Sequence, residues 1–372
     1  CMINFEENFE GSEKVYLKYN YRSLKNIVEV SKEVIKHNKV RYQKEIIAFN
    51  ENKGNIELKK PFNESEEANI IALKIEESKR LGNKYSDTAV LYRTNMESRS
   101  FIDAFIRKKI PFKLLDKEYN FFNHFICRDL IAYLRLSIDP FNKEDFNKII
   151  NKPFRYVSKS AKSDIAYLNK LSLNSAIDFI LSDLEYSQYI REYSSKFRQN
   201  QEDLLDIVEE FKSSAMEFKS IITFLSHIES VEENLENINS TGNIDSVILS
   251  TMHGVKGMQF KDVHIVNIVD ETIPHKNSME NLEEERRLFY VGITRAINNL
   301  YLYAPKSVRG KFKDSSIFLN NTNIDSQCNI TDYGLKEGDV IRHNYFGIGE
   351  ILKIEKDTIS IKFVQGENKK FS

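Results

Sequence analysis

Strand-like and helix-like hydrophobic periods alternate over about the first 115 residues and resume after residue 243, and no other feature constrains the fold as much. The stretch "KVYLKYNYRSLKNIVEVSKEVIKHN" at 14–38 predicts an alternating strand, a turn at Asn20 to Ser23, and a helix carrying Ile27, Val30, Val34 and Ile35 on one side. "GNIELKK" then predicts a strand, and "SEEANIIALKIEESKRLG" a helix opened by a Ser65 cap and closed by Gly82. "DTAVLYRTN" predicts a buried strand, "MESRSFIDAFIRKKI" a helix and "PFKLL" a short strand. Such alternation places the chain in the α/β class, with a doubly wound, mostly parallel sheet.

Between residues 118 and 243 the pattern changes to long helical periods, such as "HFICRDLIAYLRLSI" and "DLLDIVEEFKSSAMEFKSIITFLSHIESVEENLENI", with hardly any strand signal. Strands return at "SVILST", "KDVHIVNIV" and "NNLYLYAP". The simplest organisation is one α/β domain made of 1–117 and 244–305, with 118–243 as a helical insertion. Residues 306–333, rich in Lys, Ser, Asn and Asp, read as a linker. Short alternating strands with glycines between them read 334–372 as a small C-terminal β-barrel, in which Gly347 and Gly349 fit tight turns. A length of 372 residues accommodates two or three domains.

Bulk charge excludes a nonspecific polycation, because 54 Lys plus Arg nearly balance 55 Asp plus Glu. Any nucleic-acid contact must therefore be local. Cys1, Cys127 and Cys328 lack CxxC or Cys/His ligand spacing, which argues against a zinc site and a disulfide framework and favours a reducing cytosol. No apolar run approaches the roughly 18 residues of a membrane span, and no signal-peptide order opens the chain, so a soluble cytoplasmic protein with no membrane partner is expected. Cys1 preceding Met2 is read as the mark of a cut piece.

Candidate chemistry concentrates in a few stretches. No GxxxxGK[ST] occurs; "RGKF" at 309–312 lacks the first glycine and the hydroxyl residue, so the chain has no phosphate-cradling P-loop. "VHIVNIVDE" imitates a magnesium-holding strand ending in Asp270 and Glu271, but a buried strand with a solvated acidic turn is the simpler reading, and no metal site is assigned. "STMHGVKGMQF" joins two strands through Gly254 and Gly257. It is either a plain glycine turn or a phosphate-contacting loop served by Thr251, His253 and Lys256. In "EEERRLFYVGITRA", Leu282, Phe289, Ile293, Ala296 and Leu300 recur at helical spacing. Arg295 then lies about 200° around the helix from Ile293, facing away from the core, with room left beside it by Gly292. Unless something approaches it there, such an arginine simply faces solvent.

The order and content of "YLKYNYRS", "AVLYRTNMESR", "ICRDLIAYLRL", "ILSTMHGVKGMQF" and "EEERRLFYVGITRA" resemble successive motifs of the superfamily 1 DNA helicases of the UvrD/PcrA/Rep type. The resemblance covers most of 1–160 and 244–305. It implies that this chain is the C-terminal part of an ATP-dependent 3′-to-5′ DNA helicase: the second RecA-like domain (2A) with its helical 2B insertion. The first RecA-like domain, which holds the P-loop and most of the ATP and Mg²⁺ contacts, is implied as a partner. Tyr21 is then expected to stack on adenine, and Arg22 and Arg295 to reach the γ-phosphate. Thr251, His253 and Lys256, with Arg93 and Asn95, are expected along single-stranded DNA near a junction with duplex. The isolated chain is expected to hydrolyse no ATP. A freestanding adaptor for DNA or RNA polymerase, without turnover, is the alternative.

Two departures from the family pattern stand out. Gln259 occupies the position of a ribose-binding glutamate, and its amide retains hydrogen-bonding capacity. "KPFRYVSKSA" at 152–161 has the proline and arginine but not the glycine of a duplex-gripping hairpin, so it is either a helix connection or a weaker grip, and strand separation then leans on partners. The C-terminal segment resembles a Tudor-like, SH3-like module, which implies RNA polymerase as a partner. Tyr345 and Phe346 suit either that contact or the module's core.

Overall fold

The computed structural model describes residues 12, 15–41, 45–115, 120–153, 165–240, 245–322, 324, 337–343, 347–355, 358–363 and 368–371. Tyr345, Phe346, Cys1, Cys328 and most of the 152–161 connection lie outside these residues. The chain divides into two units, one formed by 1–115, 245–308 and 312–372, the other by 116–244 and 309–311.

The first unit is built on six strands: β3 (Asn55–Lys59), β4 (Thr88–Tyr92), β5 (Phe112–Leu114), β6 (Val247–Thr251), β7 (Phe260–Ile265) and β8 (Ala296–Tyr303). All pair in parallel, in the spatial order β3-β8-β7-β4-β6-β5. Alternation along each strand divides the side chains between two faces. Leu58, Ala89, Leu91, Val263, Ile265, Leu300 and Leu302 pack with Ile27, Val30 and Val34 of α1 (Lys25–Ile35) and with Leu288, Phe289 and Ile293 of α10 (Leu282–Ile293). On the opposite face His264 stacks on Tyr301, and the Tyr301 ring lies under Lys74 of α2 (Glu64–Arg80). Helices thus cover both faces, and the sheet is doubly wound. α3 (Ser98–Lys108) links β4 to β5.

Local differences from the sequence reading have identifiable causes. The expected strand at 14–20 pairs only over β1 (Tyr19–Asn20), against β2 (Ile47–Ala48); Val15 and Leu17 stay exposed because no core lies beneath them. α2 is capped by Asn63, whose Oδ1 accepts the Glu66 amide at 2.9 Å, and Ser65 lies inside the helix. Gly82 closes it at φ +91° as expected. The described part of the expected linker is packed: Phe318 is fully buried, stacked on Phe289 and beneath the Arg286 guanidinium. Its apolar content, hidden among polar residues, decides that outcome.

The second unit is helical throughout its described residues from 120 to 240, with α4 (Phe125–Ile138), α5 (Lys143–Ile149), α6 (Leu173–Ser182), α7 (Tyr186–Phe197), α8 (Gln201–Ala215) and α9 (Ile221–Ser240). Phe122, Phe211 and Phe224 meet edge to face in its core. Buried Asp129 is bound by Lys152 and the Tyr186 hydroxyl, each at 2.7 Å.

At the C-terminus β9 (Val340–His343), β10 (Gly347–Glu355), β11 (Thr358–Phe363) and β12 (Asn368–Phe371) form an antiparallel sheet in sequential order. Among the described residues β9 and β12 do not pair with each other, so this is an open meander and no closed barrel is seen. Gly349 lies within a strand, not in a turn, and close packing calls for a glycine there, since a Cβ would come within 2.6 Å of Ile361.

Candidate functional site

Arg295 lies outside the helix that its motif predicts. α10 ends at Ile293, Thr294 caps it, and Ala296 begins β8, so the helical angle calculated from the sequence does not apply and Ala296 and Leu300 belong to a strand. The apolar residues on the two sides of the turn happen to continue the helical spacing. Arg295 is held in that turn: Nε donates to the Val291 carbonyl at 3.0 Å, Nη1 to the Met258 carbonyl at 3.0 Å and Nη2 to the Thr294 hydroxyl at 3.1 Å. All three acceptors are neutral, so the charge is directed but not cancelled. Gly292 makes room elsewhere, since a Cβ on it would meet Met252 at 3.0 Å and Ile265 at 3.1 Å, where α10 lies closest to the sheet.

The segment bearing Tyr21 and Arg22 is joined to this turn. Asn20 Oδ1 accepts the amides of Arg22 and Ser23 at 2.8 and 3.1 Å, which forms the expected turn after β1. The buried Ser23 hydroxyl donates to the Ala296 carbonyl at 2.7 Å, and the Leu24 amide to Ile297 at 3.0 Å. Arg22 and Arg295 are thereby neighbours. Burial holds the Arg295 guanidinium below its ordinary range, the Arg22 charge pushes it the same way, and Tyr290 opposes both. Two adjacent cations, one exposed and one half-buried, make a place for a polyanion. Gln259 is exposed beside Phe260, whose amide donates to the Arg295 carbonyl at 3.0 Å.

These residues lie at the N-terminal ends of β7 and β8. The expected DNA contacts begin at the C-terminal ends of β4 and β6 and continue along the loop between β6 and β7, on which Lys256 stands two residues from Met258, the acceptor of Arg295 Nη1. Thr251 pairs in register with Tyr92, and the Met252 amide donates to the Tyr92 carbonyl at 2.9 Å. His253 and Lys256 are exposed on the following loop, which returns to the start of β7. The Gly254 amide is already bound by the Thr251 carbonyl and hydroxyl at 3.0 and 3.1 Å, so this glycine shapes the turn and the side chains carry any phosphate contact. Gly257 adopts φ +93°.

Arg93 is committed elsewhere. Its Nε and Nη2 donate to the two carboxylate oxygens of Glu285 at 3.0 and 2.8 Å, and Glu285 also accepts the His275 amide at 3.1 Å. Burial favours the neutral acid at Glu285, but the Arg93 and His275 bonds and charges outweigh it and hold the carboxyl below its usual range. Asn95 opens a short 3₁₀ turn, with an enclosed Oδ1 that has no partner among the described residues. Sequence reasoning overlooked Ser23, Thr294, Met258 and Glu285. The serine stands next to the motif arginine, so adjacency was its one available signal.

Asp270 and Glu271 lie past the end of β7, and Glu271 pairs with Lys313. Among the described residues no group of three or more His, Cys, Asp or Glu side chains could hold a metal, and no helix is long and apolar enough to cross a membrane.

A doubly wound parallel sheet with paired arginines at the N-terminal ends of two strands and a polar loop leading to one of them defines an α/β domain consistent with the RecA-like class. The family model of the UvrD-like helicase C-terminal domain matches residues 15–242 and 183–307, and the chain belongs to that family. It is similar to YjcD of Bacillus subtilis (strain 168), a provisionally assigned ATP-dependent DNA helicase, at 29% identity over 365 residues, covering 86% of this chain and 47% of that protein. The ATP-dependent DNA helicase PcrA of Staphylococcus epidermidis (strain ATCC 12228 / FDA PCI 1200) is also 29% identical, over 353 residues, 81% of this chain and 48% of PcrA. The chain thus spans about half the length of these relatives. The C-terminal domain of a possible DNA helicase from a Lactobacillus strain, WCFS1, superposes with a TM-score of 0.34 at 12% identity, covering 82% of this chain and 94% of that one.

Proposed function

We propose that this chain supplies the second RecA-like domain, with the helical insertion as 2B, of an ATP-dependent 3′-to-5′ DNA helicase that translocates on single-stranded DNA in the cytoplasm, in repair or replication. The observation that carries this reading is the Ser23–Ala296 hydrogen bond, which holds Arg22 beside Arg295 at the N-terminal ends of β7 and β8. Planar guanidiniums in that position suit the charge that develops on a transferring phosphoryl group. Tyr21 stacks on the adenine, and Gln259 bonds the ribose. Mg²⁺ and the remaining phosphate contacts belong to a P-loop domain packed against this end of the sheet, so the chain alone is inactive. Thr251, His253 and Lys256, with Asn95, contact single-stranded DNA at the end of β6 and along the loop that follows it; Arg93 contributes by holding β4 to α10. The C-terminal sheet, read as part of a Tudor-like module, docks RNA polymerase.

The test is DNA-stimulated ATP hydrolysis by the chain joined to a P-loop domain. Turnover that vanishes in R22A and R295A, while nucleotide still binds, supports the helicase. Turnover by the 372 residues alone overturns the division of labour, and a joined protein that binds DNA but never hydrolyses ATP supports the adaptor.

A further inference from the structure

Tyr19, Tyr21 and Phe49 form a contiguous aromatic patch in water, with fractional exposures of 56%, 70% and 63%. The Tyr21 and Phe49 ring centroids are 4.6 Å apart at 39°, and those of Tyr19 and Tyr21 6.2 Å apart. Single exposed apolar residues are ordinary, whereas three in contact mark a surface that meets something. The patch is built by the backbone. β1 and β2 pair in parallel, the Ile47 amide donates to the Lys18 carbonyl at 2.8 Å and the Phe49 amide to the Asn20 carbonyl at 2.9 Å. Just beyond, the Lys25 amide donates to the Asn52 carbonyl at 3.0 Å, and Gly54 exchanges two bonds with the Asn26 side chain. The chain bearing Phe49 is therefore fixed on both sides, against the residue whose side chain forms the Arg22 turn. Rings beside two cations match the two halves of a nucleotide, a flat base and a polyphosphate.

We propose that Phe49 is a positioning residue: packed against Tyr21, it holds the Tyr21 ring in the orientation that stacks on the base of a purine nucleoside triphosphate. The inference rests on reading Tyr21 and Arg22 as nucleotide contacts. Stacking grows with the area of overlap, and a bicyclic purine covers the Tyr21 ring more fully than a pyrimidine does, so a well-held ring favours the purine. Contact with Phe49 also restricts the Tyr21 ring before the base arrives, which lowers the ordering cost of binding.

The experiment compares the parent, F49A, F49Y and Y21A, each joined to a P-loop domain, for steady-state hydrolysis of ATP and CTP with single-stranded DNA present. F49A is expected to raise KM for ATP by about two- to ten-fold, to leave kcat unchanged and to narrow the ATP-over-CTP ratio of kcat/KM; F49Y restores all three. A merely structural role predicts a fall in kcat through displacement of Arg22, and that result overturns the proposal. So does an F49A protein whose KM and nucleotide preference equal the parent's. Y21A separates the two levels: if it too matches the parent, the nucleotide site itself is misassigned, whereas an elevated KM in Y21A alone sinks only the role of Phe49.

Discussion

The Ser23 hydroxyl donates a buried 2.7 Å hydrogen bond to the Ala296 carbonyl, joining the turn that bears Arg22 to the residue after Arg295 across 273 positions of sequence. S23A leaves that carbonyl buried without its partner, at a cost of about 1–3 kcal/mol. The variant is expected to unfold at lower denaturant concentration and, in the joined helicase, to lose kcat because Arg22 is no longer held beside Arg295. Denaturant titration and steady-state ATPase assays read the two effects, and a variant with parental turnover shows that the bond does not position Arg22.

Substituting Arg22 or Arg295 by alanine is expected to lower kcat of the joined enzyme by on the order of 10³ or more while nucleotide binding persists. R295K keeps the charge but loses the fork that spans Val291, Met258 and Thr294, so it is expected to stay nearer to R295A than to the parent. H253A alters the loop just past β6, on the Thr251 side, and is expected to weaken single-stranded DNA binding with the nucleotide affinity intact. Loss of nucleotide affinity in H253A would contradict the assignment of His253 to DNA alone.

Glu285 gives a pH dependence of determined sign. Its folded-state value lies below the ordinary 4.5, because the bonds from Arg93 and the His275 amide outweigh its burial. Stability from its ionised form is therefore fully present above pH 4.5 and is lost as pH falls through the depressed folded value. E285A strands Arg93 in a mostly buried position and is expected to cost about 3–5 kcal/mol at neutral pH. Chemical denaturation of E285Q and the parent at several pH values checks the sign: the gap between them should narrow with acidification, and a gap that widens refutes it.

Gly54 tests the support beneath the aromatic patch. A Cβ there would stand 1.7 Å from the Asn298 carbonyl oxygen, a backbone atom of β8 that cannot rotate away. G54A is expected to cost about 1–3 kcal/mol or more and to expose the 47–54 segment to protease, read by melting and limited proteolysis. G82A, where nothing lies within 4 Å of the new Cβ, pays only for its positive φ and serves as the control.

The periodicity of "GNIELKK", "DTAVLYRTN" and "KDVHIVNIV" was enough to specify a parallel sheet between helices, because burial on one face or both writes itself into neighbouring residues. The helical character of 120–240 followed for the same reason. Local pattern failed at Arg295, where a helix passes into a strand without breaking the apolar spacing, and at Phe318, whose partner Phe289 lies on a different element.

Residue identity alone made Tyr21, Arg22, Arg295, His253 and Lys256 candidates. Tertiary structure decided the rest: that Arg22 and Arg295 are neighbours, that Arg93 is bound to Glu285, that Gly292 serves helix-on-sheet packing, and that the loop bearing His253 and Lys256 runs back to Met258 beside Arg295. The meeting of the two arginines depends on the order β3-β8-β7-β4-β6-β5, which brings β8 and β7 together although α10 separates them in sequence. Hydrophobic period records how deeply a residue is buried, and it carries no information about which distant strand will lie beside it.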